Sequence, residues 1–307
     1  DATGGRGTAG RRLAGVAGVS YLEVVGVRPT GARQILARAL DVIDRGGGPR
    51  VFGLSPHAPY SLHESVLPEI VRAARRRGLR LAMHLAESEE ETRYLLHGDG
   101  PFVGFLETIG KGRPFASTPG VRPVAYADGH GLLEAGGVVI HGNDLDDDDV
   151  ARLGRHASSV VYCHGTHTHF ARPAHRWLDL EAAGAQLALG TDSGISNDGV
   201  DLLAEAARLL GDRPDLGAQR VLRAATWGGR RALRLPMGPA TFERDTAADG
   251  LLLGGPVPAG DADALATWAL SGEALPLRTY HAGTYRDPAI HTPAGGSASL
   301  DSPGPHG

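Results

Sequence analysis

The sequence has one cysteine, Cys163, one lysine, Lys111, and two methionines. A lone cysteine excludes an internal disulfide, so redox chemistry does not assign a compartment. With a single lysine, arginine carries nearly all the positive charge, which fits coding bias in a GC-rich genome rather than a chemical need. Surplus basic charge is absent as well: 31 Lys and Arg face 35 Asp and Glu, a net charge of −4. Nothing in that balance suggests nucleic acid as a partner. No apolar run approaches the roughly 20 residues a membrane helix needs, so no membrane partner is expected. Asp1 rather than methionine opens the chain, the first methionine is Met83, and no charged-then-apolar signal precedes the first strand pattern. The expectation is a cytoplasmic protein whose sequence starts inside a longer gene product. Histidine is missing before His57. A G-x-G-x-x-G after the first strand pattern is also missing, which removes the main support for a dinucleotide fold.

The residues that are present describe a soluble globular chain, with 41% hydrophobic and 21% charged content over 307 residues. Short apolar runs alternate with amphipathic stretches. Strand patterns fall at Val16 to Val25, Arg50 to Leu54, Leu79 to Leu85, Val138 to His141, Ser159 to Cys163 and Leu187 to Gly190. Helical spacing follows each, as in Ile35, Leu36, Leu40 and Ile43 of the segment Ala32 to Arg45. Ser61 and Glu64 have the spacing of a capping box, which predicts a helix from there through Arg77. The stretch Gly98 to Gly129, rich in Gly and Pro, is expected to be more loop than core. Asp144 and Asp146 to Asp149 are expected to mark a helix N-terminus, where acidic charge suits the helix dipole, rather than a calcium site. Val221 to Leu235 reads as a last helix, and Leu251 to Leu253 and Arg278 to Tyr285 as short strands.

Six strand-helix units in series predict a parallel sheet with helical crossovers. In a parallel barrel the reacting groups lie at the carboxyl ends of the strands. The second strand here runs into Ser55-Pro56-His57-Ala58-Pro59-Tyr60, and the third into His84-Leu85-Ala86-Glu87. The fourth ends in His141-Gly142-Asn143, the fifth in Cys163-His164-Gly165-Thr166-His167, and the sixth in Thr191-Asp192-Ser193. A single histidine or aspartate at a strand end is ordinarily a hydrogen-bonded or capping residue. Five successive ends with such residues, all opening into one mouth, point to chemistry. Imidazole nitrogen and carboxylate oxygen are ligands for zinc or a similar ion, which makes hydroxide available near neutral pH. A neighbouring carboxylate and histidine can then move protons.

This ordered set, Ser55 to Ser61, His84 to Glu87, His141 to Asn143, and Gly190 to Ser193 with Ser196-Asn197, resembles the amidohydrolase superfamily. The branch it is most similar to contains the nucleoside, futalosine and guanine-type deaminases and the triazine chlorohydrolases. The resemblance covers roughly residues 15 to 235. It implies an α/β fold, a TIM-type (β/α)8 barrel that is incomplete here, showing strands three to eight, with remnants of a small accessory β-sheet. The implied division is a barrel over 1–240, an accessory β region over 241–286 and a disordered tail over 287–307. It further implies His84 and Asp192 as metal ligands, with Asp192 also taking a proton from the attacking water. His141 would orient that water, Glu87 would protonate the substrate's ring nitrogen, and His57 and His167 would contact the substrate. The implied cofactor is one divalent ion, zinc in the first place and iron as the alternative. The implied partner is a small heterocyclic substrate, and a homodimer is compatible with the family.

Two departures stand out. Relatives often read Cys-Pro-x-Ser/Thr-His/Asn where this chain has Cys163-His164-Gly165-Thr166-His167. The family's first strand ends in a metal-binding His-x-His, and no such pair lies upstream of His57; His167-Thr168-His169 repeats the spelling in a different place. The expected activity is hydrolysis of carbon-nitrogen bonds, by deamination of an amino-substituted nitrogen heterocycle. The alternatives are a catalytically inactive or fragmentary barrel and a metal-free ligand-binding barrel.

Overall fold

A computed structural model of the chain describes residues 18–46, 50–108, 112–170, 173–197, 199–236, 249–281 and 284–286. The expectation of a disordered tail over 287–307 lies outside these residues. Six strands form one parallel sheet in chain order: β1 (Gly18–Val24), β2 (Arg50–Pro56), β3 (Arg80–Leu85), β4 (Val138–His141), β5 (Ser159–Tyr162) and β6 (Gln186–Leu189). β1 and β6 are the two edges of this order. Each connection crosses over through helix, as parallel pairing requires.

The helices before β4 are α1 (Pro29–Arg45), α2 (Leu67–Arg77), α3 (Glu89–His97), α4 (Pro101–Thr108) and α5 (Pro123–Gly129). Those after it are α6 (Asp147–Arg155), α7 (His164–His169), α8 (Trp177–Ala183), α9 (Leu202–Asp212), α10 (Ala218–Arg223), α11 (Gly229–Ala232) and α12 (Ala262–Ala269). A π-helical turn, Ala224–Gly228, joins α10 to α11. Gly228 makes that junction possible, because a Cβ there would lie 2.2 Å from the Leu187 carbonyl oxygen of β6. A three-stranded antiparallel sheet, β7 (Gly250–Gly254), β8 (Leu275–His281) and β9 (Thr284–Arg286), follows.

Burial follows the apolar pattern of the sequence. One core gathers Val24, Leu54, Ile70, Met83, Leu85, Val139 and Val160 under β1 to β5. A second, around Tyr162, Trp177, Leu189, Leu209 and Val221, packs at the β6 side. Leu187 touches both. Each fully buried aliphatic side chain contributes about 1.5–3 kcal/mol against leaving it in water.

Three local expectations differ from the structure: Val221 to Leu235 is not the last helix, since Ala262–Ala269 forms another, and two helix starts lie elsewhere. The helix expected from Ser61 begins at Leu67, where Pro68 supplies an N-terminal residue with no N–H to satisfy. Ser61 instead closes a 3₁₀ turn, Pro59–Ser61, and Glu64 accepts a hydrogen bond from the Ala116 amide at 2.9 Å. The span Gly98 to Gly129 is not all loop, for prolines at the start of α4 and α5 open helices there rather than breaking them. The capping box lies at Asp146 and Asp149, whose side chains each accept from the other's backbone N–H. The acidic run is therefore a helix start, as the sequence suggested.

Candidate functional site

The carboxyl ends of β1 to β4 bring four chemistry-bearing side chains side by side. Pairing of β1 with β2 sets Glu23 opposite Ser55 and Val24 opposite Pro56, so Glu23 sits beside the residue that follows, His57. The His57 amide donates to the Val24 carbonyl at 3.1 Å, and the His84 amide donates to the His57 carbonyl at 2.9 Å. His57 and His84 ring centroids are 5.0 Å apart, and those of His84 and His141 5.5 Å. The Glu87 Oε1 atom lies 3.8 Å from Nε2 of His141. Glu23 Oε1 lies 3.8 Å from Nε2 of His57.

Hydrogen bonds fix the tautomers of two of these rings. A carbonyl oxygen can only accept, so the 3.1 Å contact of His84 Nδ1 with the His57 carbonyl places the proton on Nδ1 and the lone pair on Nε2. Ser61 Oγ donates its hydrogen to the Ala58 carbonyl at 3.2 Å and therefore accepts from His57 Nδ1 at 2.6 Å. His57 thus also turns a bare Nε2 away from its anchor. This is the arrangement of metal-ligating histidines, whose other nitrogen is tied to a backbone or side-chain acceptor. Ligand atoms of Glu23, His57 and His84 all lie within 4.8 Å of one another, the one such group of three among the described residues. The donor set therefore fits a divalent ion.

Burial sets the electrostatics. It lowers the imidazole pKa of His57 to about 4, helped by the positive charge His84 could carry. It lowers that of His141 to about 3 with the same neighbour contributing, so both rings are neutral at neutral pH. Nδ1 of His141 is buried with no hydrogen-bond partner among the described residues. Burial works to raise the Asp192 carboxyl, but a hydrogen bond from Ser196, the nearby His141 and a hydrogen bond from Thr166 bring it below the ordinary carboxylate range. Ser196 and Thr166 reach Asp192 Oδ2 at 2.8 and 3.0 Å.

The backbone is strained at the same strand ends. His141 has φ 77°, Asp192 φ 54° and Ala86 φ 52°, left-handed values that a side chain other than glycine resists. Such residues cost of order 1–3 kcal/mol each and gather where function holds them. Local networks hold these turns. Asn143 Nδ2 donates to the Glu87 carbonyl at 3.1 Å, and Glu91 Oε2 accepts from the Glu87 amide at 2.8 Å. Glu205, wholly buried in α9, accepts from the Gly165 amide at 2.8 Å and from Asn197 Nδ2 at 3.0 Å, and also pairs with Arg208. Asn197 Nδ2 donates in turn to the Thr191 carbonyl at 2.8 Å, so Glu205 steadies the loop that carries Asp192.

The expected site residues do not all gather equally. His57, His84, Glu87 and His141 form one continuous array, and Asp192 is near enough for its charge to act on His141 and His84. It stands outside the tight group of three. His167 is buried in α7, its Nδ1 3.1 Å from Asn143 Oδ1 and its Nε2 donating to the Pro173 carbonyl at 2.7 Å. It faces the protein with both nitrogens. Sequence reasoning missed Glu23, Glu91 and Glu205. A glutamate near the end of the first strand, in line with the later strand-end residues, was the available signal for Glu23. Glu91 and Glu205 look like ordinary exposed helix residues in sequence, and only burial distinguishes them.

With this geometry in place, comparison with known proteins assigns the class. A family model described as the amidohydrolase family matches residues 13–253, and the chain belongs to that family. Among curated relatives, the chain is 30% identical over 233 residues to an aminodeoxyfutalosine deaminase of Deinococcus radiodurans, covering 71% of this chain and 54% of that protein. It is 32% identical over 199 residues to an 8-oxoguanine deaminase of Pseudomonas aeruginosa, covering 62% of this chain and 39% of that protein. The chain therefore spans about half the length of the curated relatives it matches. In fold it is similar to the aminofutalosine deaminase of Helicobacter pylori in complex with methylthio-coformycin, with a TM-score of 0.77, 19% identity, and coverage of 90% of this chain and 68% of that one. A zinc-bound adenosine deaminase from Xanthomonas campestris is similar with a TM-score of 0.67 and 21% identity, over 90% of this chain and 62% of that one.

Proposed function

We propose that this chain carries most of the barrel of a metal-dependent hydrolase that removes an amino group from a nitrogen heterocycle, its six parallel strands corresponding to strands three to eight of a (β/α)8 barrel. On this reading residues 1–240 are the barrel portion, and 241–286 are the remnant of an accessory β region. Zinc is the ion favoured by a set of imidazole and carboxylate donors, with iron as the alternative. Deaminase activity among the relatives supports the reaction class.

The observation that carries the reading is the array at successive strand ends: His84 with a bare Nε2, Glu87 3.8 Å from His141, and Asp192 held by two hydroxyls. His84 and Asp192 would hold the ion. Bound there, the ion would lower the pKa of water, so that hydroxide is available near neutral pH. His141, neutral and buried, would orient the attacking water at the carbon bearing the amino group. Asp192, kept ionised by Ser196 and Thr166, would take the proton that the water gives up. Glu87 would protonate the ring nitrogen next to that carbon; the proton held by Asp192 would then pass to the amino group, which would leave as ammonia as the tetrahedral adduct collapses to the carbonyl and returns its hydroxyl proton to Glu87. His57 borders the space in front of this array. His167, anchored through Nε2 to the Pro173 carbonyl, would serve the substrate pocket as a wall, and Asn143 would hold the Glu87 turn.

The test is ammonia release by the purified, zinc-loaded chain from adenine and guanine nucleosides and bases. Turnover that disappears on Glu87→Gln while metal content stays unchanged is the expected result. A chain that holds its metal but releases ammonia from none of these compounds would overturn the reading.

A further inference from the structure

We propose that Glu23 is a specificity-determining residue of the site: its carboxylate accepts a hydrogen bond from an N–H or O–H donor that the substrate carries beside its reacting ring. The inference rests on the reading above for where the substrate lies, and it leaves the ion on His84 and Asp192 and His57 at the substrate. Strand geometry puts Glu23 there. Alternate residues of a strand share a face, so Tyr21 and Glu23 point one way and the fully buried Val24 the other. Tyr21 packs with Ala82, Val138, Ala188 and Ala232 in a cluster separate from the main core. Ala82 and His84 share a face of β3 in the same manner. Glu23 thus stands above Tyr21 as His84 stands above Ala82, on the face that opens into the mouth.

The carboxylate is short of donors. Its side chain is 10% exposed, yet it takes part in no hydrogen bond among the described residues. His57 does not supply one. Its proton sits on Nδ1, where Ser61 accepts it, and Nε2 stands 3.8 Å from Glu23, too far for a hydrogen bond. Tyr60 is near enough to feel the Glu23 charge, but its ring is held in a stack on Phe102 with centroids 4.3 Å apart. A carboxylate drawn so far out of water is costly unless a donor meets it. A bound substrate supplies that donor. The backbone on either side is fixed for the encounter: the His57 amide donates to the Val24 carbonyl at 3.1 Å, and the Gly26 amide to the Ser61 carbonyl at 2.8 Å.

Position narrows the kind of donor. Glu23 has an oxygen within 4.8 Å of ring nitrogens of both His57 and His84. With the reacting carbon in front of the ion on His84, the group that meets Glu23 lies on the heterocycle or directly beside it, not at the end of a long substituent. A second amino group or ring N–H of the base satisfies this condition, and so does a sugar hydroxyl next to the glycosidic carbon. A substrate that turns only lone pairs to this edge leaves the carboxylate unpaired and is selected against.

The experiment uses the full zinc-loaded chain and reads dissociation constants by calorimetry beside ammonia release. Adenine against 2,6-diaminopurine tests a donor on the base, and 2′-deoxyadenosine against adenosine tests a donor on the sugar. In one of the two pairs the compound with the extra donor is expected to bind about tenfold to a hundredfold more tightly to the unaltered chain. Glu23→Met, which has no acceptor, should erase that preference with zinc content unchanged. Glu23→Gln, a neutral acceptor of the same length, should reduce it by about threefold or more. Circular dichroism checks folding, and Glu23→Gln decides the matter if Glu23→Met does not fold. No preference in either pair, a preference equal in the unaltered chain and the variants, or zinc lost on replacing Glu23 overturns the inference. Ammonia release with a preference that ignores Glu23 sinks this inference alone. A Glu23-dependent preference without ammonia release removes the proposed reaction and leaves the part of Glu23 standing.

Discussion

At the ends of β2 and β3, His57 and His84 each tie Nδ1 to an acceptor and leave Nε2 bare toward Glu23. Beyond β5, histidine is used differently. His164 meets the Tyr162 hydroxyl at 3.1 Å and Asp212 at 2.8 Å, and His167 meets Asn143 and the Pro173 carbonyl. His175 packs on Tyr162 with ring centroids 4.1 Å apart and planes tilted by 31°; its Nε2 donates to the His141 carbonyl at 3.2 Å, and its Nδ1 is buried with no hydrogen-bond partner among the described residues. His57 and His84 keep a nitrogen available for a ligand, while His164 uses both of its nitrogens to tie β5 to α9. The residue type is the same in both halves. At His164 the partner at the second nitrogen makes the difference, because a ring engaged on both sides has no lone pair to offer, whereas His175 keeps an unpaired Nδ1 that is buried.

The sharpest way to break this comparison is at Glu87. Glu87→Gln keeps the size and loses the acid, so a fall in kcat of ~100- to 10,000-fold is expected with zinc content unchanged. A similar fall from His164→Asn would erase the distinction between the halves. Next in size is Glu205→Ala on the structural side. It leaves Gly165, Asn197 and Arg208 without their buried acceptor, and a loss of about 3 kcal/mol in stability is expected from urea denaturation.

A smaller effect is expected from His175. Burial first, then the charge of His167, lowers its pKa to about 3 in the folded chain. The unfolded chain takes up this proton near pH 6.5, before the folded chain does. The contribution is thus complete above about pH 6.5 and is lost as pH falls toward 3. Denaturation midpoints between pH 7 and 5 should fall less steeply in His175→Phe. The smallest effect is expected from Glu91→Gln. Burial, with the Glu87 charge adding to it, pushes the Glu91 carboxyl up to about 8. Its contribution is therefore present below the unfolded value near 4.5 and is lost as pH rises through 8. Gln keeps the acceptor for the Glu87 amide without an ionisable proton, so a gain of about 1 kcal/mol is expected at pH 9 and little change at pH 4.

Much of this organisation was legible before the structure. Alternating strand and helix patterns predicted six parallel strands in order, because hydrophobic periodicity depends on local geometry. The ends carrying His57, His84, His141 and Asp192 were legible for the same reason: a residue just past a strand must lie at that strand's carboxyl end. The helix starts near Ser61 and across Gly98 to Gly129 were misread, since a proline that opens a helix looks in sequence like one that breaks it.

The sequence by itself thus determined the parallel α/β order, the family resemblance and which residue types line the mouth. Tertiary structure alone decided which histidines are available. It did so through contacts between residues distant in the chain, such as the His57 carbonyl on His84 or Asn143 on His167. It also showed that Glu23 belongs with His57 and His84 and that Glu91 and Glu205 are buried. A glutamate's letter carries no sign of its depth, because burial depends on what packs over it and not on its neighbours in sequence.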